Sequence, residues 1–263
     1  MSTHAGGSAL LELRQVTMRF GGVVAVQELD VSITEGQIFG LIGPNGAGKT
    51  TVFNIVTGVY QPTSGEVRFA GDVVHGIAPH RVTALGVART FQNIRLFANM
   101  TALENVMVGA DARHRTGVPH ALFGLPRHRR EEREGRAKAL ELLDFVGIPG
   151  VAEETAKNLP YGDQRRLEIA RALATDPRLL LLDEPAAGMN PAEKMSMQQL
   201  IRAIRDVGRT ILLIEHDMGL VMGISDRVAV LDFGRKIAEG EPSAVQNDDK
   251  VIEAYLGVAP DAP

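Results

Sequence analysis

Short apolar runs recur along the chain and alternate with segments of helical periodicity. The runs at 38–42, 179–182 and 211–214 do not alternate with polar residues, which is typical of strands buried on both faces of a parallel sheet. The segment 192–207 predicts a helix, because its apolar residues recur at i, i+3, i+4 and i+7. These residues are Met197, Leu200, Ile201 and Ile204. Strands that alternate with helices predict a doubly wound α/β core.

Two other regions have different patterns. In the first part of the chain, turn signals at 20–22 and 63–65 separate alternating strands, which predicts an antiparallel sheet over about 9–36 and 65–75. Residues 93–160 contain no clear strand but several helical stretches, notably 131–145, and we expect a helical insertion there. We therefore predict one folded domain over 9–257, with flexible tails at 1–8 and 258–263.

Composition narrows the classes of protein. The 263 residues are 44% hydrophobic and 23% charged, which is ordinary globular usage and argues against disorder. The formal net charge of -4 argues against a general nucleic-acid binder. The absence of cysteine excludes disulfides and thiolate metal sites. No stretch reaches the roughly 18 consecutive apolar residues of a membrane span, and the first residues lack the pattern of a secretory signal.

Residues 43–50 match the phosphate-binding loop G-x-x-x-x-G-K-[ST], between an apolar strand and a predicted helix. The candidate nucleotide-binding residues are Gly43, Pro44, Asn45, Gly46, Ala47, Gly48, Lys49, Thr50 and Thr51. Glycines let backbone N–H groups turn toward phosphate oxygens, and the helix N-terminus adds partial positive charge. Lys49 is expected to contact the β- and γ-phosphates, and the Thr50 hydroxyl to ligate Mg²⁺.

The run 179–182 is followed directly by Asp183 and Glu184. The carboxyl ends of strands in α/β sheets are where such folds bind ligands. We expect Asp183 to hold Mg²⁺ and Glu184 to orient and polarise the attacking water.

Three single residues are further candidates, each with a plainer alternative. Gln92 could contact Mg²⁺ or the nucleophilic water, and His216 could hydrogen-bond the γ-phosphate. Taken alone, a surface glutamine and a structural histidine are the more common readings. Phe20 could stack on adenine, although a phenylalanine at a strand end is more often part of the core. The charged cluster at 127–138 is either a basic contact surface or a solvated helix face with internal ion pairs, and its mixed signs favour the solvated face.

Taken together, these motifs resemble the nucleotide-binding subunit of an ABC transporter. The loop at 43–50, Gln92, the segment 159–173, Asp183 with Glu184, and the sequence Glu-His-Asp at 215–217 stand in the order of that family. The resemblance covers about residues 9–257. It implies a P-loop NTPase (RecA-like) parallel-sheet core with an antiparallel β subdomain and a helical insertion subdomain. It also implies ATP hydrolysis with Mg²⁺, and a dimer in which each subunit presents its signature to the other's ATP.

The signature in this sequence departs from the usual Leu-Ser-Gly-Gly-Gln. Pro160 stands where the family has serine, Tyr161 replaces the first glycine, and Asp163 replaces glutamine, whereas Gly162 is retained. The hydroxyl donor to the partner's γ-phosphate is therefore missing. We expect a helix to begin near Asp163 and to direct backbone N–H groups at that phosphate. Asn190 likewise stands where the family usually has aspartate, and we expect communication between the two sites to differ from the usual family pattern.

The detailed pattern is similar to that of branched-chain amino acid importer ATPases of the LivG type. Residues 161–171, 186–191 and 251–257 carry this similarity. Urea and aromatic-acid importers belong to the same close group and remain alternatives, as do a non-transport ABC ATPase and a nucleotide sensor. The implied partners are a second, related ATPase subunit, two transmembrane permease subunits and, indirectly, a substrate-binding protein. The implied location is the cytoplasmic side of the inner membrane.

Overall fold

The computed structural model describes residues 9–111 and 126–256, with side chains at all of these positions except 111, 126–132 and 256. The predicted tails at 1–8 and 258–263 lie outside this part of the chain. The strands are β1 (Ala9–Phe20), β2 (Val23–Thr34), β3 (Ile38–Ile42), β4 (Ser64–Phe69), β5 (Asp72–Val73), β6 (Val87–Arg89), β7 (Leu179–Asp183), β8 (Thr210–Ile214), β9 (Arg227–Asp232) and β10 (Arg235–Gly240).

The described helices are α1 (Lys49–Val56), α2 (Pro79–Ala84), α3 (Ala102–Asp111), α4 (Pro126–Phe145), α5 (Tyr161–Ala174), α6 (Pro191–Asp206), α7 (Met218–Ile224), α8 (Pro242–Gln246) and α9 (Asp249–Leu256). Two short 3₁₀ turns lie at Pro149–Val151 and Ala156–Asn158. Among these helices, none combines the length and apolar character that crossing a bilayer requires. The described residues form two compact units, the first within 9–82 and 181–256 and the second between 83 and 180.

The main sheet of the first unit has the order β10-β9-β3-β8-β7. Strand β3 pairs in parallel with both β8 and β9, whereas β10 is an antiparallel edge strand on β9. All residues of β3, β7 and β8 are buried, as expected for the centre of an α/β sheet. The predicted apolar stripe of α6 is also buried. These observations confirm the α/β core that the sequence predicts.

A second sheet of the first unit is antiparallel and has the order β2-β1-β4-β5. Strands β1 and β2 form a hairpin whose last pair is Phe20 with Val23, so that Gly21 and Gly22 make the turn. Register shifts in this hairpin accompany left-handed backbone at Gln15 and Glu28, which is the signature of β-bulges that bend a strand. The predicted antiparallel sheet is therefore present, and β1, β2 and most of β4 and β5 lie within the predicted ranges 9–36 and 65–75.

The second unit is mainly helical. It contains α3, α4 and α5, and the short strand β6 lies beside the start of β7, whose first two residues belong to this unit. Helices α3 and α5 approach closely at Gly109, where a Cβ would lie 2.2 Å from the carbonyl oxygen of Arg171. The helical character expected for the segment after Gln92 is thus confirmed. Helix α4 begins five residues before the predicted stretch 131–145.

Candidate functional site

The phosphate-binding loop connects the buried strand β3 to helix α1 in the first unit. Two of its glycines, Gly43 and Gly48, are required because φ is positive and because a Cβ would clash with neighbouring main chain. Gly43 has φ 148°, and a Cβ there would lie 2.0 Å from the carbonyl oxygen of Leu231. Gly48 has φ 101° at the N-cap of α1, and a Cβ would lie 2.4 Å from the carbonyl oxygen of Ala25. Only glycine adopts such a backbone against neighbouring main chain without strain.

The first residue of α1 is Lys49, whose side chain folds back over the loop. Its Nζ donates hydrogen bonds to the carbonyl oxygens of Gly43 at 2.7 Å and Pro44 at 3.0 Å. Lys49 is only 6% exposed. Burial lowers its pKa, and the negative charges of Glu184 and Asp183 oppose that change. The two carboxylates predicted from the end of β7 therefore act electrostatically on the loop lysine.

The remaining predicted nucleotide-binding residues differ in exposure. Asn45, Gly46 and Thr50 are exposed, whereas Ala47 is buried. The carbonyl oxygen of Ala47 accepts a hydrogen bond from the Gly234 N–H at 3.1 Å, which ties the loop to the turn between β9 and β10. Pro44 and Thr51 are half-buried. The loop thus presents its tip to solvent while its base is fixed to the sheet.

Asp183 is the last residue of β7 and Glu184 directly follows it, and the two residues lie in different environments. Asp183 is 2% exposed. Glu184 has φ 49°, a left-handed backbone that non-glycine residues rarely adopt, and its N–H donates to the carbonyl oxygen of Ile214 at 2.9 Å. Strained backbone of this kind persists where surrounding structure enforces it. The distortion turns the chain at the carboxyl end of the strand.

Glu184 and His216 meet although no local motif links them. His216 Nε2 and Glu184 Oε1 share a hydrogen bond of 2.5 Å, with the imidazole side chain 46% exposed and the carboxylate 13% exposed. The structure therefore brings together two of the three residues predicted to be catalytic. The third, Gln92, is an exposed residue of the second unit.

Glu215 is a site residue that sequence analysis missed. It is buried, and its carboxylate accepts hydrogen bonds from the Ala186 N–H at 2.7 Å and the His216 N–H at 3.1 Å. Burial raises its pKa, and these backbone donors oppose the change. Glu215 thereby joins the loop after β7 to the loop after β8. The sequence feature that could have identified Glu215 is its position directly after the buried strand β8.

Two residues near this site, Asp217 and Asn190, cap the N-termini of helices α7 and α6. Asp217 caps α7 by accepting from the Leu220 N–H at 3.0 Å, and Lys194 Nζ donates to it at 2.6 Å. The Lys194 hydrogen bond lowers the pKa of Asp217. Asn190 forms a capping box with Glu193 at the start of α6, with the two reciprocal bonds at 3.0 and 2.8 Å. Asparagine at this position thus supplies the cap without a charge.

Phe20, the candidate adenine contact, is 42% exposed rather than a core residue. Its ring meets that of Tyr60 edge-on, with centroids 5.2 Å apart and planes at 73°. The aromatic surface is therefore a pair, and nothing in the sequence marks Tyr60 as its second member.

The signature residues lie at the start of α5 in the second unit. This helix begins at Tyr161, two residues before the predicted start near Asp163, because Pro160 takes the N-cap position and its carbonyl oxygen accepts from the Gln164 N–H at 2.9 Å. Gly162 and Asp163 consequently lie in the first turn of the helix, where backbone N–H groups lack partners within the helix. Tyr161 is 47% exposed.

The charged cluster at 127–138 lies on α4, and its side chains before 133 lie outside the described residues. Arg136 donates to Glu153 at 2.7 Å, and both side chains are more than half exposed. This pair fits the solvated helix face that the mixed charges favour.

The chain is similar in sequence to known family models and proteins. Residues 26–187 match the family model described as ABC transporter, and residues 235–261 match the model for branched-chain amino acid ATP-binding cassette transporters. The chain is 48% identical to the high-affinity branched-chain amino acid transport ATP-binding protein BraF of Pseudomonas aeruginosa, over 95% of this chain and 98% of that protein. It is 46% identical to LivG of Escherichia coli, a protein of the same description, with the same coverage.

Solved structures agree with these relatives. A crystal structure of the ADP conformation of an ABC transporter's ATP-binding cassette superposes with a TM-score of 0.83 at 31% identity, covering 95% of this chain and 99% of that one. A dimeric cassette bound to ADP and Pi gives a TM-score of 0.75 at 26% identity, covering 88% and 98%. The resemblance and the fold expected from the sequence are confirmed. The chain belongs to the ABC transporter family, as an ATP-binding cassette subunit.

Proposed function

We propose that this chain hydrolyses ATP to drive an importer of branched-chain amino acids. The observation that carries the ATPase part is the convergence of Lys49, Asp183, Glu184 and His216 on the loop and strand ends of one unit. The substrate class is supported by relatives of that description at 46–48% identity and by the family match at 235–261.

In this proposal the loop and Lys49 bind the nucleotide phosphates. Backbone N–H groups of the glycine-rich turn and the N-terminus of α1 favour anionic oxygens. Lys49 adds a cation that the loop carbonyls already hold in place. The exposed Phe20 and Tyr60 rings are candidates for stacking on the adenine.

The residues present also fit a Mg²⁺ ion. The Thr50 hydroxyl and the Asp183 carboxylate are hard oxygen donors of the kind that Mg²⁺ prefers. Among the described residues, no group of three His, Cys, Asp or Glu side chains could hold a metal ion. A site with few protein ligands suits Mg²⁺ bound largely through nucleotide phosphates and water. The ion would neutralise charge on the phosphates, with Gln92 as a further proposed ligand.

Hydrolysis needs a water that attacks the γ-phosphorus as the bond to the β,γ-bridging oxygen breaks, which releases ADP and phosphate. Glu184 is proposed to orient this water and accept its proton. His216 is proposed to hydrogen-bond the γ-phosphate, and its contact with Glu184 positions both groups. Glu215 supports His216 through the backbone.

The proposed assembly contains a second, related ATPase subunit, two permease subunits and a substrate-binding protein outside the membrane. The segment 160–163 would face the partner's ATP, and the helical unit with Gln92 would contact the permeases. Dimeric cassettes at 26% identity support the first contact. This assembly would place the chain on the cytoplasmic face of the inner membrane, with no role in nucleic-acid binding.

Reconstitution tests the proposal. The chain is combined in vesicles with the permease, ATPase and binding-protein chains encoded beside it, and ATP hydrolysis is measured with leucine, isoleucine, valine, urea or benzoate inside. We expect the three branched-chain amino acids to stimulate hydrolysis. Stimulation by urea or benzoate alone would reassign the substrate, and ATP binding without hydrolysis under any condition would favour a nucleotide sensor.

A further inference from the structure

A buried ion pair on α5 lies outside the residues assigned above. Arg165 is the largest fully buried side chain described, at 0% exposure, and Glu168 is 1% exposed. Arg165 Nη1 donates to Glu168 Oε2 at 2.8 Å. The two residues are three positions apart, so both side chains lie on one face of the helix.

Each member of this pair also binds the backbone of the loop that carries Gln92. Arg165 donates to the carbonyl oxygens of Phe91 at 2.6 Å and Gln92 at 2.8 Å. Glu168 Oε1 accepts from the N–H groups of Phe91 at 3.4 Å and Arg95 at 3.2 Å. Arg165 therefore binds two carbonyl oxygens of the loop, and Glu168 binds two of its N–H groups. These four hydrogen bonds hold the loop against two side chains of α5.

The same arginine reaches the signature segment. Arg165 Nη2 donates to the Tyr161 hydroxyl at 3.2 Å, and its guanidinium lies 5.9 Å from the centre of the tyrosine ring. Tyr161 stands where the family pattern has glycine, which offers no such acceptor. The two Nη atoms thus bind Tyr161, Glu168 and the Gln92 loop at once, which uses their full donor capacity.

Stability alone does not explain this arrangement. Burying two charges removes them from water, and well-packed apolar residues often stabilise a core equally well. Burial raises the pKa of Glu168, and the Arg165 cation is the largest influence that opposes it. A buried pair with directional bonds instead specifies one relative placement of the groups it contacts.

We propose that Arg165, held by Glu168, is a positioning residue that makes the Gln92 loop and the signature segment move as one body. The inference rests on the proposed function, because the roles of Gln92 and of 160–163 belong to it. A change at Gln92 on nucleotide or permease contact would then be transmitted to Tyr161 through one guanidinium, and from there to the partner subunit's ATP.

Hydrogen exchange measured by mass spectrometry on the full chain without nucleotide tests the coupling independently of hydrolysis. The variants are Glu168→Gln, Arg165→Lys and Tyr161→Phe. The matched control is Arg136→Gln, which removes an exposed arginine of the same unit from its ion pair. In Glu168→Gln we expect exchange at 91–95 and at 159–168 to rise together, by about tenfold, because both depend on the pair.

Arg165→Lys should strongly raise hydrogen exchange at 91–95, because an ammonium cannot reproduce the planar fork of donors that a guanidinium offers. Tyr161→Phe removes one oxygen from a half-exposed side chain and leaves one Arg165 N–H without this acceptor, so exchange in both segments should rise to a smaller extent. The control should leave both unchanged. Release of only one segment in all three variants would overturn the proposal, as would a uniform rise across 83–180.

A kinetic measurement on the assembled transporter then separates positioning from nucleotide binding. We expect Tyr161→Phe to lower kcat by a few-fold with an unchanged KM for ATP. Failure of the branched-chain substrate assignment would leave the exchange result intact, so the two hypotheses fail separately.

Discussion

Glu184 and His216 are 32 positions apart in the sequence and share a hydrogen bond of 2.5 Å. The bond joins the residue after β7 to the loop after β8, and these strands are neighbours in the sheet. Glu215 ties the same two loops a second time through the Ala186 N–H. The chemistry proposed for Glu184 therefore depends on two cross-loop contacts that the sheet order creates.

Glu184→Gln should keep nucleotide binding but lower ATP hydrolysis by about 100-fold or more, because an amide cannot accept the proton of the attacking water. Hydrolysis is followed by phosphate release, and size-exclusion chromatography with ATP should show an accumulated dimer. Glu253→Gln on the exposed face of α9 is the matched control. Turnover at the wild-type rate in Glu184→Gln would mean that another residue handles the water.

Lys49→Ala should weaken ATP binding by about 100-fold, since a charge-assisted contact contributes roughly 1.5–3 kcal/mol. Titration with a fluorescent ATP analogue measures the affinity. Lys157→Ala removes an exposed lysine of the second unit and should bind normally. Equal affinity in both variants would contradict the assignment of the phosphate-binding loop.

Gly43 and Gly46 form a matched pair within one loop. Both have positive φ, but a Cβ at Gly43 meets the Leu231 carbonyl oxygen, whereas the space at Gly46 is open. Gly43→Ala should therefore cost about 3 kcal/mol of stability and abolish ATP binding. Gly46→Ala should cost about 1 kcal/mol, from backbone strain alone. Urea denaturation measures both, and equal losses would show that the contact with Leu231 does not matter.

Asp217→Asn tests the ion pair with Lys194, because asparagine keeps the helix cap but not the charge. The pKa of Asp217 is lowered in the folded state by Lys194. Its contribution is therefore present above the unfolded pKa and is lost as pH falls through the folded pKa. We expect the variant to be less stable by about 0.5 kcal/mol at pH 7.

Urea denaturation between neutral and acidic pH should show this difference disappearing as the pH falls below the ordinary pKa of aspartate, about 3.9. Asp72→Asn on the exposed strand β5 is the control. A difference between wild type and Asp217→Asn that stays constant over the whole range would exclude the charge as its source.

Pro160→Ser restores the hydroxyl that the usual signature provides. The serine side chain would also cap α5, where proline makes no side-chain cap bond. We expect turnover at the partner's ATP site to rise by a few-fold, measured in a heterodimer whose other site carries Glu184→Gln. Unchanged turnover would mean that the role of the hydroxyl is already filled.

The sequence predicts the central strands and the phosphate-binding loop well, because their signals are local. Runs such as 179–182 are apolar on both faces, which is typical of central strands. The glycine spacing at 43–48, followed by Lys49 and Thr50, is specific to phosphate-binding loops. Strand β10 was not predicted, since Arg235–Gly240 is a half-buried edge strand with mixed polar residues. Its pairing with β9 comes from tertiary context rather than from alternation.

The contacts that connect motifs were not predictable in the same way. Arg165 and Glu168 are charged residues on a helix, a pattern that normally indicates a solvated surface. Their burial depends on a loop more than 70 positions earlier in the chain. The edge-on pairing of Phe20 with Tyr60 likewise joins a strand end to the segment after α1. Such partners follow only from the folded arrangement.

The left-handed backbone of Glu184 lowers the stability of the folded state, while the side chain supplies the carboxylate proposed to act in hydrolysis. Glycine would relax φ at this position and, by the usual cost of such strain, would favour the folded state by about 1 kcal/mol. It would also delete the carboxylate that His216 holds. A Glu184→Gly variant should therefore gain folding stability while it loses the carboxylate proposed to orient the attacking water.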